Sequence, residues 1–185
     1  MGMIAVIIIF ICLSTDNMVT ANMSGMNMDS KTKSVFSIRA GVFFSAFNAL
    51  LFTAGYIASI VFFHQYFASA GHWVAFSFLV LLGIKYMLEA IEKSPSFKEK
   101  EVEDTGKLLR VSLLSAVPFF FVGYPLELVG KSWFPQIFFL LIISFIMTIL
   151  GFHLGTKTSK SVISKKFEFI AGLVLVIMSI RLIIL

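Results

Sequence analysis

Several things that a secreted or soluble protein of this size relies on are scarce in this chain. It holds one cysteine, Cys12, so no disulfide framework can form. Cys12 lies inside an apolar run and reads as packing rather than thiol chemistry. Residues 1–13 contain no Lys or Arg, although a signal peptide needs a basic leading segment, and apolar character resumes after the polar cluster that follows. The first segment is therefore expected to stay as a membrane helix. No nucleotide-binding glycine motif is present, which argues against ATP hydrolysis by this chain. Charged residues make up only 14% of the sequence, so a carboxylate inside an apolar run stands out.

What is abundant is apolar surface. Of 185 residues, 58% are hydrophobic and the mean hydropathy is +0.96. A soluble core of this size cannot bury that much. Six apolar runs are long enough to cross a bilayer, at about 2–22, 36–62, 72–92, 109–130, 134–155 and 167–185. Polar stretches separate them, the longest from Glu92 to Lys107 and another from Ser24 to Ser34. The net charge of +5 could suggest nucleic acid, but the cations gather between apolar runs, so a bilayer is the expected partner and nucleic acid is not.

Topology follows from those cations. Lys31, Lys33 and Arg39 follow the first run; Lys93, Lys98, Lys100, Lys107 and Arg110 follow the third; Lys157, Lys160, Lys165 and Lys166 follow the fifth. The opposite side offers Lys131, with Arg181 near the C-terminus. The positive-inside rule places the three rich connections in the cytoplasm and both termini outside. An internal repeat supports the same plan. Leu79–Lys85 resembles Leu175–Arg181, and the same shift of 96 positions carries Gly55 to Gly151 and Asn48 to Ser144. Copies of three helices each must lie inverted in the membrane, a common transporter design. The expected fold is an all-α polytopic membrane protein of six transmembrane helices in two inverted repeats. Repeat one is 1–92, a cytoplasmic connection spans 93–108, and repeat two is 109–185.

Ser14-Thr15-Asp16-Asn17 interrupts the first run. An ionised Asp at membrane depth costs about 2.5–3.5 kcal/mol on insertion scales, so it marks a partner, a wet cavity or an ion. Asp16, Asn17 beside it and Thr20 one turn on could offer oxygen ligands to a hard cation such as Mg²⁺, Ca²⁺ or Mn²⁺. The bland alternative is an Asp hydrogen-bonded to neighbouring helices. Asn48, with Ser45, is the polar spot of the second helix, and helix–helix adhesion is its plain reading. Pro118 and Pro125 lie in the fourth helix. Pro118 leaves the Leu114 carbonyl, next to Ser115, without its usual donor, so that carbonyl could line a cavity. Lys85 and Glu89, one turn apart, form a candidate intramembrane charge pair, and Lys85 could equally snorkel. Glu168 and His153 read as interfacial, and His64 and His72 flank the short outer connection. Met18, Met23, Met26 and Met28 could suit Cu(I), but only three of them are close together, in an expected loop.

At this point the chain resembles the small bacterial manganese efflux pumps of the MntP type, in the lysine-exporter superfamily. The likeness is carried by His72-Trp73-Val74-Ala75-Phe76 through Leu82-Gly83-Ile84-Lys85-Tyr86-Met87-Leu88-Glu89. It is carried also by Met147-Thr148-Ile149-Leu150-Gly151 through Lys165-Lys166-Phe167-Glu168 and Ala171-Gly172-Leu173-Val174-Leu175, and by Ser14-Thr15-Asp16. The resemblance implies six helices in inverted repeats and export of cytoplasmic Mn²⁺ on intramembrane acidic ligands. Asp16 matches one such position; Asn48 stands where the family has Glu, and Pro118, followed by Phe119, Phe120 and Phe121, where it has Asp. The expected ligand set is then Asp16, Asn17, Thr20, Asn48, Ser144 and the Leu114 carbonyl, with Mn²⁺ as cargo and no permanently bound cofactor. The expected setting is the bacterial cytoplasmic membrane, with a homo-oligomer or a partner membrane protein left open. A non-transporting accessory subunit and an exporter of another small solute are the competing functions.

Overall fold

In a computed structural model, described for residues 3–26, 30–63, 71–91, 105–128 and 132–155 and for 161–184, the chain is all helix but for Ser132. The helices are α1 (Met3–Met26), α2 (Ser30–Ala58, continued by a π-helical turn at Ser59–Phe63) and α3 (Gly71–Ile91), then α4 (Thr105–Leu128), α5 (Trp133–Gly155) and α6 (Ser161–Ile184). Backbone polar groups in hydrocarbon must be satisfied within the segment, which is what helices achieve. Five stretches among the described residues are long and apolar enough to cross a membrane: Met3–Asn22, Ser34–Val61, Trp73–Ile91, Gly106–Tyr124 and Trp133–Leu154. Large apolar side chains such as Ile4, Leu50, Leu81, Phe134 and Ile177 cover the outside, where a soluble protein would be polar.

Helix boundaries differ from expectation mainly at polar ends. The polar stretch after the first run is helical almost throughout, since α1 runs to Met26 and α2 starts at Ser30. Hydropathy marks where a helix leaves hydrocarbon, and helices continue beyond that point while their residues tolerate it. For the same reason α4 starts at Thr105 and α6 at Ser161, ahead of their apolar runs. Much of the long stretch after α3 lies outside the described residues.

The main packing partners are α1 with α5, α2 with α4, and α3 with α6, joined by α2 against α5. Glycines bring backbones together at three crossings. A Cβ on Gly151 would strike the Met18 carbonyl, and one on Gly55 would strike the Phe120 carbonyl. These contacts correspond: a shift of 96 carries Gly55 to Gly151, and a shift of 102 carries Met18 to Phe120. In the third crossing, a Cβ on Gly83 would lie 2.7 Å from Val176 Cγ2, and one on Gly172 would lie 2.8 Å from Met87 Cγ. Those contacts are reciprocal at a shift of 89, which carries Gly83 to Gly172 and Met87 to Val176. The sequence likeness between α3 and α6 at 96 is thus seven positions from the register of contact. Seven residues are about two helical turns, so both registers present nearly the same face.

Four helices pass through the same three layers. Along α1, Val6, Ile9, Phe10, Cys12 and Leu13 belong to a large apolar cluster, Ser14 to Asn17 and Thr20 are polar and buried, and Ala21 joins a second apolar cluster. Along α5 the order is Leu140, then Ser144 and Thr148, then Phe152. Helices α2 and α4 run through the layers in reverse, as Ala40 and Phe44, Asn48, Phe52 and as Leu108, Ser112 and Ser115, Phe119. A buried polar layer is therefore held between two apolar clusters, with α1 and α5 pointing one way and α2 and α4 the other.

Candidate cation site in the polar layer

The layer is built where α1 is tied to its neighbours. The Ser14 and Ser144 hydroxyls lie 3.2 Å apart, joining α1 to α5. Asn48 Nδ2 donates to Ser144 Oγ at 3.1 Å, bringing in α2. The Ser115 hydroxyl lies 2.8 Å from Asp16 Oδ2 and 2.7 Å from Asn17 Oδ1, bringing in α4. From α3, Tyr86 donates to the Leu13 carbonyl at 3.3 Å. Asp16 is 8% exposed and Asn17, Asn48 and Ser144 are fully buried.

Ser115 has one proton to give and cannot satisfy two acceptors. Asn17 Nδ2, placed on the other side of its amide, has no partner. Amide oxygen and nitrogen are assigned from the hydrogen-bond pattern, and here the pattern favours the turned-over amide. Asn17 Nδ2 then donates to Ser115 Oγ, and Ser115 donates to Asp16. The unpartnered Asn17 atom becomes its oxygen. Two further buried oxygens, Thr20 Oγ1 and Asn48 Oδ1, also lack partners. An orphan buried acceptor costs about 1–3 kcal/mol, so three in one layer with a carboxylate suit water or a cation. Carboxylate, amide and hydroxyl oxygens without sulfur or imidazole suit a hard cation.

The structure thus gathers Asp16, Asn17, Thr20, Asn48 and Ser144 into one layer. Ser45 is not a partner of Asn48; its hydroxyl donates to the Val42 carbonyl at 3.1 Å. The Leu114 side chain leaves the bundle at 65% exposure, and α4 stays helical through Pro118. Of the three phenylalanines after Pro118, Phe119 alone is fully buried in the core. Phe120 and Phe121 instead line a lateral apolar groove of about 340 Å³ between α2, α3 and α4, with Phe78 stacked on Phe121 at 5.4 Å.

Lys85 and Glu89 do pair, at 3.5 Å, but half-exposed on α3 and not in the polar layer. Glu168, expected at the interface, is buried at 3% exposure and has a partner. Its place in the sequence, seven residues into α6 and next to Lys165-Lys166, concealed this; α3 and α6 cross closely enough to cover it. Glu168 and Asp16 are the two buried carboxylates among the described residues, and both lie within electrostatic reach of Tyr86. Sequence reasoning missed Ser115 as a ligand holder and Tyr86 as a tether; a serine three positions before a mid-helix proline was the available signal for the first. His153 is exposed and bonds to the Ile149 carbonyl at 2.9 Å. His64 and Met28 lie outside the described residues, as do the side chains of His72, Met23 and Met26. Among the described residues, no three His, Cys, Asp or Glu side chains come together as a metal cluster.

A bundle of helices long and apolar enough to cross a membrane, around a buried, oxygen-lined polar layer, is an arrangement that a membrane transporter of hard cations would need. Comparison with known proteins names the family. A sequence model described as "Putative manganese efflux pump" matches residues 30–183, and the chain belongs to that family, MntP. A relative from Clostridium botulinum strain Hall, "Putative manganese efflux pump MntP 2", is 27% identical over 194 residues, covering 100% of this chain and 95% of the relative. One from Campylobacter jejuni strain 81-176 is 28% identical, covering 78% of this chain and 76% of the relative. A third, from Crocosphaera subtropica, is 26% identical, covering 80% and 78%. Both carry the description "Putative manganese efflux pump MntP". The family match begins after α1, whereas the Clostridium relative aligns across Asp16 as well. No solved structure matches the chain significantly.

Proposed function

We propose that this chain exports Mn²⁺ from the cytoplasm, by alternating access of two inverted three-helix repeats around the polar layer. The observation that carries this reading is the set of unpartnered buried oxygens beside Asp16. Asp16 supplies the ligand charge. Asn17, Thr20 and Asn48 supply neutral oxygens, Ser144 positions Asn48, and the Leu114 carbonyl adds a backbone oxygen. One carboxylate neutralises half of a dication's charge, and Glu168, buried on α6 and within electrostatic reach of Tyr86 as Asp16 is, would add a second negative charge at longer range. The corresponding glycine contacts, and the opposite sense of α1 and α5 to α2 and α4, support the inverted arrangement. The cations at the starts of α2, α4 and α6 support a bacterial cytoplasmic membrane topology with both termini outside. The chain is a transporter and not an enzyme, and its cargo is a substrate rather than a resident cofactor.

The test is Mn²⁺ tolerance of cells with and without the gene, together with Mn²⁺ uptake into inverted membrane vesicles. The gene should confer tolerance and uptake. Asp16→Asn should remove both while the protein stays inserted, because losing the charge also removes its insertion cost. Equal tolerance with wild type and Asp16→Asn would end Asp16's role as ligand. Tolerance unchanged by the gene itself would favour an accessory subunit.

A further inference from the structure

Helix α5 turns one face inward, and every fourth residue on it is buried: Gln136, Leu140, Ser144, Thr148 and Phe152. Ser144 and Thr148 belong to the polar layer already described. Leu140 lies in the larger apolar cluster and Phe152 in the smaller one. Gln136 stands beyond Leu140, outside the layer, yet it is fully buried. Neither its Oε1 nor its Nε2 has a hydrogen-bond partner. Eight residues separate it from Ser144, about 12 Å along a helix. It therefore cannot serve the polar layer, and packing does not explain it, since Leu or Met would fill the space without two orphan polar atoms. An amide buried in the bundle and left unsatisfied on both its donor and its acceptor calls for a ligand that accepts from one side and donates to the other. Water does both, and a cation carrying part of its hydration shell brings such water with it.

We propose that Gln136 is a second polar station on the transport route, outside an apolar seal at Leu140, where the departing hydrated cation is met. The inference rests on the export reading and adds a site to it. A cation leaving Asp16 passes Leu140 when that seal opens and regains water beside Gln136. In the inward-loading state the seal is closed, so Gln136 does not take part in cytoplasmic binding.

Two measurements test this. The first compares Gln136→Leu with wild type. The variant should melt at a higher temperature in detergent, because two orphan polar atoms are gone, yet Mn²⁺ export in inverted vesicles should fall about tenfold in kcat with KM on the cytoplasmic side unchanged. Gln136→Glu should keep export. A variant that is stabilised and exports at the wild-type rate would overturn the station, as would a rise in KM with kcat intact. The second measurement needs no transport. In a Cys12→Ala background, Gln136→Cys in intact cells should react with an external, membrane-impermeant thiol reagent faster than Leu140→Cys. Equal or slower reaction at position 136 would also overturn it. Should wild type fail to export Mn²⁺, the export reading falls, and the labelling comparison still decides whether the outer station exists.

Discussion

Helices α1 and α4 occupy corresponding places in the bundle but carry opposite chemistry. The shift of 102 that pairs their backbone contacts sets Ser14 against Ala116, Asp16 against Pro118, Asn17 against Phe119 and Thr20 against Val122. All eight are buried. One helix presents a carboxylate, an amide and two hydroxyls; the other presents hydrocarbon. From α4, Ser115 reaches across the interface to Asp16 and Asn17. The two helices thus share matching glycine contacts with their neighbours, while these buried polar groups sit on one of them. Backbone approach requires small residues at the crossings of both halves, whereas cation ligands can be concentrated on one helix if neighbours orient them.

Making the halves chemically alike is the harshest way to break that comparison. Asn48→Glu with Pro118→Asp gives α2 and α4 carboxylates of their own. Without metal, the added buried charges should destabilise the protein by about 3–5 kcal/mol. Millimolar Mn²⁺ should restore much of the melting temperature by binding the folded state. Poor expression that Mn²⁺ does not rescue would mean the layer has no room for an ion.

The crossings come next. Gly55→Ala and Gly151→Ala each drive a methyl into a facing carbonyl, and each should cost about 1–3 kcal/mol in detergent unfolding. The two losses should be similar if the contacts are equivalent; a loss at one position only would break the correspondence. Ser115→Ala tests the asymmetry itself. It leaves Asp16 without that donor, and Mn²⁺ affinity should drop about tenfold, while Ser115→Thr should hold near wild type. Equal losses for both variants would assign Ser115 to packing alone. The smallest effect belongs to Lys85→Met, because the pair links adjacent turns of one helix outside the polar layer, so stability should change little. A large loss of stability there would show that the pair is more than a surface contact.

The polar layer was legible in the sequence to the extent that polar residues interrupt apolar runs. Asp16, Asn48 and Ser144 each break a hydrophobic stretch, and hydrocarbon makes such breaks expensive. Gly55 and Gly151 were legible as close-packing residues, but not the carbonyls they meet. Glu168 was legible as lying near the polar end of its helix but not as buried, because distance along the chain from that end does not give burial once helices cross closely. Gln136 carried no signal of its own, and Ser115 only its place three positions before Pro118. A serine bonds locally in many helices, as Ser45, Ser112 and Ser77 do here. Only the packing of α4 on α1 distinguishes Ser115 from them.

The central claim is that the α1 oxygens form a cation site charged by Asp16. Its most direct measurement is the melting temperature of purified wild type and Asp16→Asn across a Mn²⁺ titration at fixed pH and ionic strength, with Mg²⁺ in parallel. Wild type should gain stability with Mn²⁺, about 2.7 kcal/mol at a hundred times the dissociation constant, and Asp16→Asn should gain none over the same range. A rise of equal size in both proteins, or no rise in wild type, would contradict the account.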